Sequence, residues 1–396
     1  MLLIVLAIRY KVSVGLTLLV AGILTAVLYG VSLADLLSGY WSLLGSRKFL
    51  FLISVVILIT ILGRLLQELH YLDRLTGAAG YLPGGSRTAA AVMPPLIGLM
   101  PMPGGALLSA PLVAQVTKDR PYPQELRTAT NYWFRHVAEF CWPIYPGLIL
   151  TEAITGLPLY HVSLLQAPMT LIMIVIGAVA YLRHLDSART GPVHLGRGLG
   201  GLLAAVWPIV LAIAVYGVFK IELSLAVLFA IGAVILVSRP RPALLWSAVK
   251  QGMSWKLMLL VFGTLSFQTV LELAGAIGSI PHLANQLHLP PELVIFLVCF
   301  VAGLLTGMVA AYVALGYTIL AAYLYQPQIV PGYILLAYLG GYVGIMLSPT
   351  HLCLILTNEY FGSNLSLVYR RLALPILALT LAGFGLYWLG WGSWLV

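Results

Sequence analysis

The sequence predicts an all-α membrane protein made of two inverted repeats, each with five transmembrane helices, one re-entrant hairpin and one broken helix. Three observations lead there. The 396 residues are 61% hydrophobic and 8% charged, with a mean hydropathy of +1.00, whereas soluble domains carry about 25% charge. Apolar runs recur at the length of spanning helices, ~20 residues. Finally, PIYPGLILTEAITGL (143–157) and PTHLCLILTNEYFGS (349–363) align without a gap, 206 residues apart. Extended over 143–182 and 349–388, that register holds at 12 of 40 positions, among them Pro143/Pro349, both LILT runs and Gly156/Gly362.

Lipid leaves the backbone no partner but itself, so every span is read as a helix. In the first half a short helix at 2–9 precedes one at 12–31. An amphipathic connector at 32–47 leads to a span at 48–70. Residues 88–118 are apolar but interrupted by MPPLIGLMPMPGG, which reads as a re-entrant hairpin. A helix over 124–155 is expected to break between Trp142 and Gly147, and 163–182 spans. The second half repeats the order: spans at 199–219 and 221–238, connector 240–254, span 255–275, hairpin 291–326 with TGMVAAYVALG at its tip, broken helix 330–362 and span 370–392. The connectors align as well, Leu36, Leu37, Ser46 and Lys48 falling on Leu244, Leu245, Ser254 and Lys256. The first helix is shorter than its mate at 199–219.

An odd number of crossings per half inverts the second repeat relative to the first. Lys and Arg then gather on one face, from Arg9 and Lys11 to Arg370 and Arg371, against Arg47, Lys48 and Lys220 on the other. The positive-inside rule makes the rich face cytoplasmic, in the cytoplasmic (inner) membrane, with both termini outside and Trp388, Trp391 and Trp394 in the outer aromatic belt. This asymmetry accounts for the net charge of +9. No basic, aromatic-interleaved patch supports nucleic acid as a partner. Cys141, Cys299 and Cys353 lack CxxC spacing and read as buried thiols. The N-terminal MLLIVLAIRYK has no small-residue cleavage site after it and is not read as a signal peptide. Walker A, HExxH, GxSxG and metal-ligand spacings are missing, so no enzyme, metal site or cofactor is expected, beyond H+ or Na+ as a coupling ion.

The candidate binding residues lie where the chain breaks. Ser348, Pro349, Thr350 and His351 form the second break, with Ser348 expected as N-cap and Pro349 in the first helical turn. Pro143 and Tyr145 lie in the first break. Pro101, Met102, Pro103, Gly104 and Gly105 form one hairpin tip, and Thr306 and Gly307 the other. Half-helix ends meeting near the midplane offer amides and carbonyls to small ions or anions without charged side chains; a proline kink repaired by neighbouring helices is the alternative. Arg135, His136 and Glu139 lead into the first break. Arg135 and Glu139 are four apart, share a helix face and sit at membrane depth, where each ion costs roughly 2.5–3.5 kcal/mol. The matching residues in the second half are Gly341 and Ile345, so the architecture does not itself require the pair; it is a functional site or a structural salt bridge. His351 is open to anion binding, proton coupling or capping, and His136 to function or packing. Glu152 and Glu359 are expected at the interfaces, and Arg64 and Glu68 to snorkel.

AVMPPLIGLMPMPGGALLSAPLV (91–113) and SPTHLCLILT (348–357) resemble a family of prokaryotic integral membrane proteins, domain of unknown function 401, within the ion transporter superfamily of secondary carriers. The resemblance covers nearly the whole chain. It implies a homodimer and an elevator mechanism. By position, 1–75 and 199–285 would be scaffold, and 76–198 and 286–396 the transport domain. The superfamily's Ser-Asn-Thr tip motif is replaced by Met102, Pro103 and Gly104, which weighs against dicarboxylate specificity and sodium coupling. The expected function is secondary active transport of a small anionic organic solute, coupled to H+ or Na+. The alternatives are a cation/proton antiporter using Glu139, and a lipid-linked substrate flippase or non-transporting membrane subunit.

Overall fold

The computed structural model describes residues 13–79, 81, 85–99, 106–117, 121–185, 194–253, 255–276, 279–325 and 327–395. The expected helix at 2–9 and the tip at 101–105 lie outside the described residues. The first half contains α1 (Val14–Leu28), α2 (Leu33–Gly45), α3 (Arg47–Glu68), α4 (Tyr71–Ala79), α5 (Gly85–Gly98), α6 (Ala106–Val116), α7 (Gln124–His136), α8 (Pro146–Thr155) and α9 (Leu159–Ala180). The second contains α10 (Leu195–Phe219), α11 (Leu223–Ser238), α12 (Pro242–Gly252), α13 (Trp255–Leu273), α14 (Ser279–Gln286), α15 (Pro291–Thr306), α16 (Val309–Tyr312), α17 (Ala321–Leu324), α18 (Pro331–Leu347), α19 (Leu352–Phe361) and α20 (Leu365–Trp388). The described residues contain no strand.

Among the described residues, five helical stretches are long and apolar enough to cross a membrane: Arg47–Glu68, Leu159–His184, Leu195–Phe219, Pro331–Phe361 and Leu365–Trp388. Their outer faces carry exposed apolar side chains, among them Leu171, Val175 and Val179 on α9 and Leu374, Leu377 and Leu381 on α20. Continuous apolar faces of this kind mark contact with lipid, and the chain is an all-helical membrane protein. The arms of both expected hairpins are short. α5 has 14 residues and α6 has 11, about 21 and 16 Å at 1.5 Å per residue, well under the ~30 Å hydrocarbon core.

Local chemistry sets the helix starts. Ser13, Ser32 and Ser46 cap α1, α2 and α3 by accepting amide protons from Leu16, Asp35 and Phe49, as Asn364 does for α20. Pro146, Pro242, Pro291 and Pro331 open their helices in the first turn, where the missing N–H costs nothing. α8 stops at Gly156, with φ of +78°, and α19 at Gly362, with φ of +61°. A Cβ at Gly156 meets nothing within 4 Å, so only the backbone is strained by adding one. Gly156→Ala is therefore expected to lose about 1–2 kcal/mol, read as a lower midpoint of thermal unfolding in detergent; an unchanged midpoint contradicts it.

Packing follows two groups. α1 lies along α13, α2 against α13, α3 against α11 and α12, and α4 against α10. α5 packs on α6 and α7, α15 along α18, α19 on α6 and α7, and α20 on α9 and α18. Contacts between the groups include α4 with α5 and α3 with α8. Close approach of α15 and α18 needs glycine. A Cβ on Gly344 would fall on the Phe300 carbonyl oxygen and 2.8 Å from the Leu304 nitrogen, and one on Gly340 would fall on the Phe296 carbonyl. Small residues let membrane helices pack backbone to backbone.

Some expectations need correction. Helices α4 and α14 fall where no element was expected. Glu152 does not reach an interface freely: it is half-buried and accepts the Leu159 N–H at 3.0 Å, joining the end of α8 to the start of α9. Glu359 is exposed, as expected.

Candidate functional site

Two interrupted helices cross at the centre of the second packing group. α7 tightens into a 3-10 turn over Val137–Phe140 and unwinds through Cys141 to Tyr145 before α8 begins at Pro146. Pro143 and Pro146 explain the break, since neither can donate to a preceding carbonyl. α18 ends at Leu347, and α19 starts at Leu352 with His351 as its N-cap. Ser348 was expected in that capping role. Its hydroxyl instead donates to the Leu304 carbonyl at 2.7 Å and accepts the Thr350 N–H at 3.2 Å. Ser348 thus ties the turn to the end of α15, and Pro349 lies in the turn, ahead of the first helical residue.

Each break is bonded to the end of a helix in its own half. The Tyr145 hydroxyl donates to the Gly98 carbonyl at the end of α5. His351 Nδ1 lies 2.7 Å from the Gly307 carbonyl just after α15. Tyr145 and His351 occupy the same place in the two aligned sequences. Thr306 turns its hydroxyl back to the Ala302 carbonyl at 2.8 Å, within its own helix.

The breaks also grip each other. Tyr132 on α7 donates to the Ile345 and Met346 carbonyls at the end of α18, at 3.3 and 3.2 Å. Tyr338 on α18 donates to the Glu139 carbonyl at 2.9 Å, and Tyr342 to the His136 carbonyl at 2.8 Å. Tyr132 and Tyr338 share one register position, and Glu139 and Ile345 share another, so these are the same bond made twice. Helix ends leave carbonyls without partners, and here the phenols of the opposite helix supply them.

Charge and imidazole occupy the crossing. Arg135 is 2% exposed and Glu139 6%, with Nη1 3.5 Å from Oε1. Arg135 Nη1 also donates to the Tyr145 hydroxyl at 3.3 Å. Arg135 Nε and Glu139 Oε2 are buried and have no hydrogen-bond partner among the described residues. Next to this pair, His136 Nε2 and His351 Nε2 are 2.9 Å apart. His136 Nδ1 lies 2.6 Å from the Tyr132 carbonyl. A carbonyl oxygen only accepts, so both Nδ1 atoms carry protons, and in the neutral rings both Nε2 lone pairs point at each other. His136, His351 and Cys353 place three possible ligand atoms within 4.8 Å of one another, all buried.

Of the residues singled out in the sequence, Arg135, His136, Glu139, Tyr145 and His351 come together. Ser348, Pro349 and Thr350 form the adjoining turn, and Thr306 and Gly307 end α15 beside it. Pro143 lies in the unwound stretch, and Pro101 to Gly105 lie outside the described residues. Sequence reasoning missed Tyr132, Tyr338 and Tyr342 and did not place Cys353 at the site. The shared register of Tyr132 and Tyr338 was a usable signal for the tyrosines. None existed for Cys353, whose partner His136 is distant in the chain.

The family model described as "Protein of unknown function (DUF401)" matches residues 1–392. No curated protein matches the chain.

Proposed function

Because the chain belongs to the DUF401 family, whose description assigns no activity, we propose from the geometry that it is a secondary active transporter of a small anionic organic solute. The observation that carries this reading is the buried Arg135–Glu139 pair at the crossing of two broken helices, with a guanidinium nitrogen left unpartnered among the described residues. A buried arginine with spare donors is suited to a carboxylate or phosphate, which it can hold through two parallel hydrogen bonds. Intramembrane ions that the architecture does not require mark substrate or ion pathways.

The two repeats of this reading are inverted. The order of helices supports the duplication: α1 begins at Val14 and α11 at Leu223, α3 at Arg47 and α13 at Trp255, α8 at Pro146 and α19 at Leu352. So do the duplicated tyrosine bonds across the crossing. Arg47 pairs with Glu222, two residues from Lys220, in keeping with one sparsely basic outer face. The group formed by α1–α4 and α10–α13 would be the scaffold of a homodimer in the cytoplasmic membrane. The group holding both breaks would be the transport domain, moving as an elevator with H+ or Na+ as the coupling ion. Membrane lipids surround both, and neither an enzymatic step nor an organic cofactor enters the cycle.

A cation/proton antiporter is the second reading, favoured by the unpartnered Glu139 Oε2, a carboxylate oxygen free to exchange a proton for a cation. The polar crossing is closed to lipid by burial, which counts against a flippase.

The test begins with detergent-purified protein and a panel of acetate, lactate, succinate, phosphate and sulfate. At least one should raise the thermal unfolding midpoint and enter proteoliposomes, and Glu139→Gln should abolish that flux. Cation-dependent proton flux with no anion response across the panel overturns the solute reading in favour of antiport.

A further inference from the structure

The geometry points to a transition-metal site at the crossing, formed by Nε2 of His136, Nε2 of His351 and Sγ of Cys353 and suited to a Zn2+-class ion. Three observations lead to it. The first is the tautomer argument: both Nδ1 protons are committed to backbone carbonyls, at 2.6 and 2.7 Å. Histidine ligands characteristically donate their second ring N–H to a carbonyl or carboxylate, which fixes the other nitrogen as the ligand atom. Both rings here are already held that way.

The second is the approach of the two Nε2 atoms, 2.9 Å apart. Two neutral imidazoles cannot be stable with lone pairs face to face, so something positive belongs between them. Zinc–nitrogen bonds of about 2.0–2.1 Å at a tetrahedral angle place two ligand nitrogens roughly 3.3 Å apart. The rings need to part by only a few tenths of an ångström.

The third is Cys353, two residues beyond His351 and buried, with its sulfur in the same 4.8 Å cluster. Two imidazoles and a thiolate select Zn2+ and its neighbours over Mg2+ or Ca2+, which prefer oxygen. On binding, the Cys353 S–H bond breaks, the proton leaves to solvent and a metal–sulfur bond forms. Three protein ligands leave a fourth position open, as zinc sites that handle an exchangeable ligand do. Two of the three ligands come from α19 and its cap and one from α7, so the ion would link the two broken helices.

The site takes only its location from the proposed carrier function. Co2+ serves as the probe, since in thiolate-containing four-coordinate sites it gives a near-ultraviolet charge-transfer band and intense visible bands. Chelator-treated protein in detergent should bind about one Co2+ per chain, show both bands and lose them to stoichiometric Zn2+. Cys353→Ser should remove the charge-transfer band. His351→Gln and His136→Gln should each weaken Zn2+ binding by more than the roughly 10–100-fold typical of losing a second-shell partner. Absence of saturable Co2+ binding by the wild-type protein overturns the site and leaves a shared proton between the imidazoles. A spectrum unchanged in Cys353→Ser or in both histidine variants overturns it too. Co2+ binding without any anion response sinks the solute reading alone, and an anion response without Co2+ binding sinks the metal site alone.

Discussion

Arg135→Ala is expected to lower the thermal stability of the protein and, under the proposed function, to abolish anion flux, whereas Arg135→Met combined with Glu139→Leu should recover the stability and not the flux. The difference between the two variants separates structure from function. Arg135 and Glu139 are both buried, 3.5 Å apart. Removing one partner leaves the other charge in a low-dielectric interior, which costs about 3–5 kcal/mol. Removing both replaces an ion pair by apolar volume, which is often neutral or stabilising by about 1–4 kcal/mol. A salt bridge kept only for architecture therefore becomes dispensable in the double variant. Arg135 also supports Tyr145, whose hydroxyl holds the Gly98 carbonyl, so the single variant should loosen the end of α5 as well. Thermal unfolding and proteoliposome flux, measured on the same preparations, check both halves. Wild-type flux in the double variant assigns the pair to structure alone.

The second large effect lies at the α15–α18 crossing. Gly344→Ala is a substitution that helix propensity favours by about 0.8–1.0 kcal/mol, yet it is expected to destabilise. Its Cβ meets backbone, the Phe300 carbonyl oxygen and the Leu304 nitrogen, and backbone cannot rotate out of the way as a side chain can. Overpacking of this kind costs about 1–3 kcal/mol, so the steric cost outweighs the propensity gain. Gly344→Val adds two more methyl groups at the same place and should prevent the helices from meeting. The order of unfolding midpoints should be wild type, then alanine, then valine; alanine above wild type contradicts the close packing. The separation also displaces Ser348, whose bond to Leu304 joins the second break to α15.

Much of the helical framework was legible because its signals are local. Apolar runs bounded by proline, glycine or charge located α1–α3, α7–α13, α15 and α18–α20 within a few residues. The short helices α4 and α14 were not, since YLDRLTGAA and SIPHLANQ are too short and mixed to show a period. The π turn at Val313–Tyr317 has no sequence signature. In the site, Arg135, His136 and Glu139 stood out because charge is scarce in such a chain, and His351 because it lies in the break. Their company was not legible. Which atoms meet across the crossing depends on the angle between α7 and α18, and that depends on Tyr132, Tyr338 and Tyr342, residues that look like ordinary membrane aromatics. Cys353 was equally inconspicuous, one thiol among three.

The tyrosine bonds across the crossing bear on how the site can open. Each broken helix has its carbonyl end stitched by a phenol from the other, and each is tied to the end of α5 or α15 besides. Unfastening one break alone would break several buried hydrogen bonds at once, those from tyrosine hydroxyls to the His136, Glu139, Ile345 and Met346 carbonyls. Under the proposed carrier reading, the two interrupted helices and the ends of α5 and α15 tied to them would therefore shift like a keystone, as one block, and whatever lies at the crossing would travel with them.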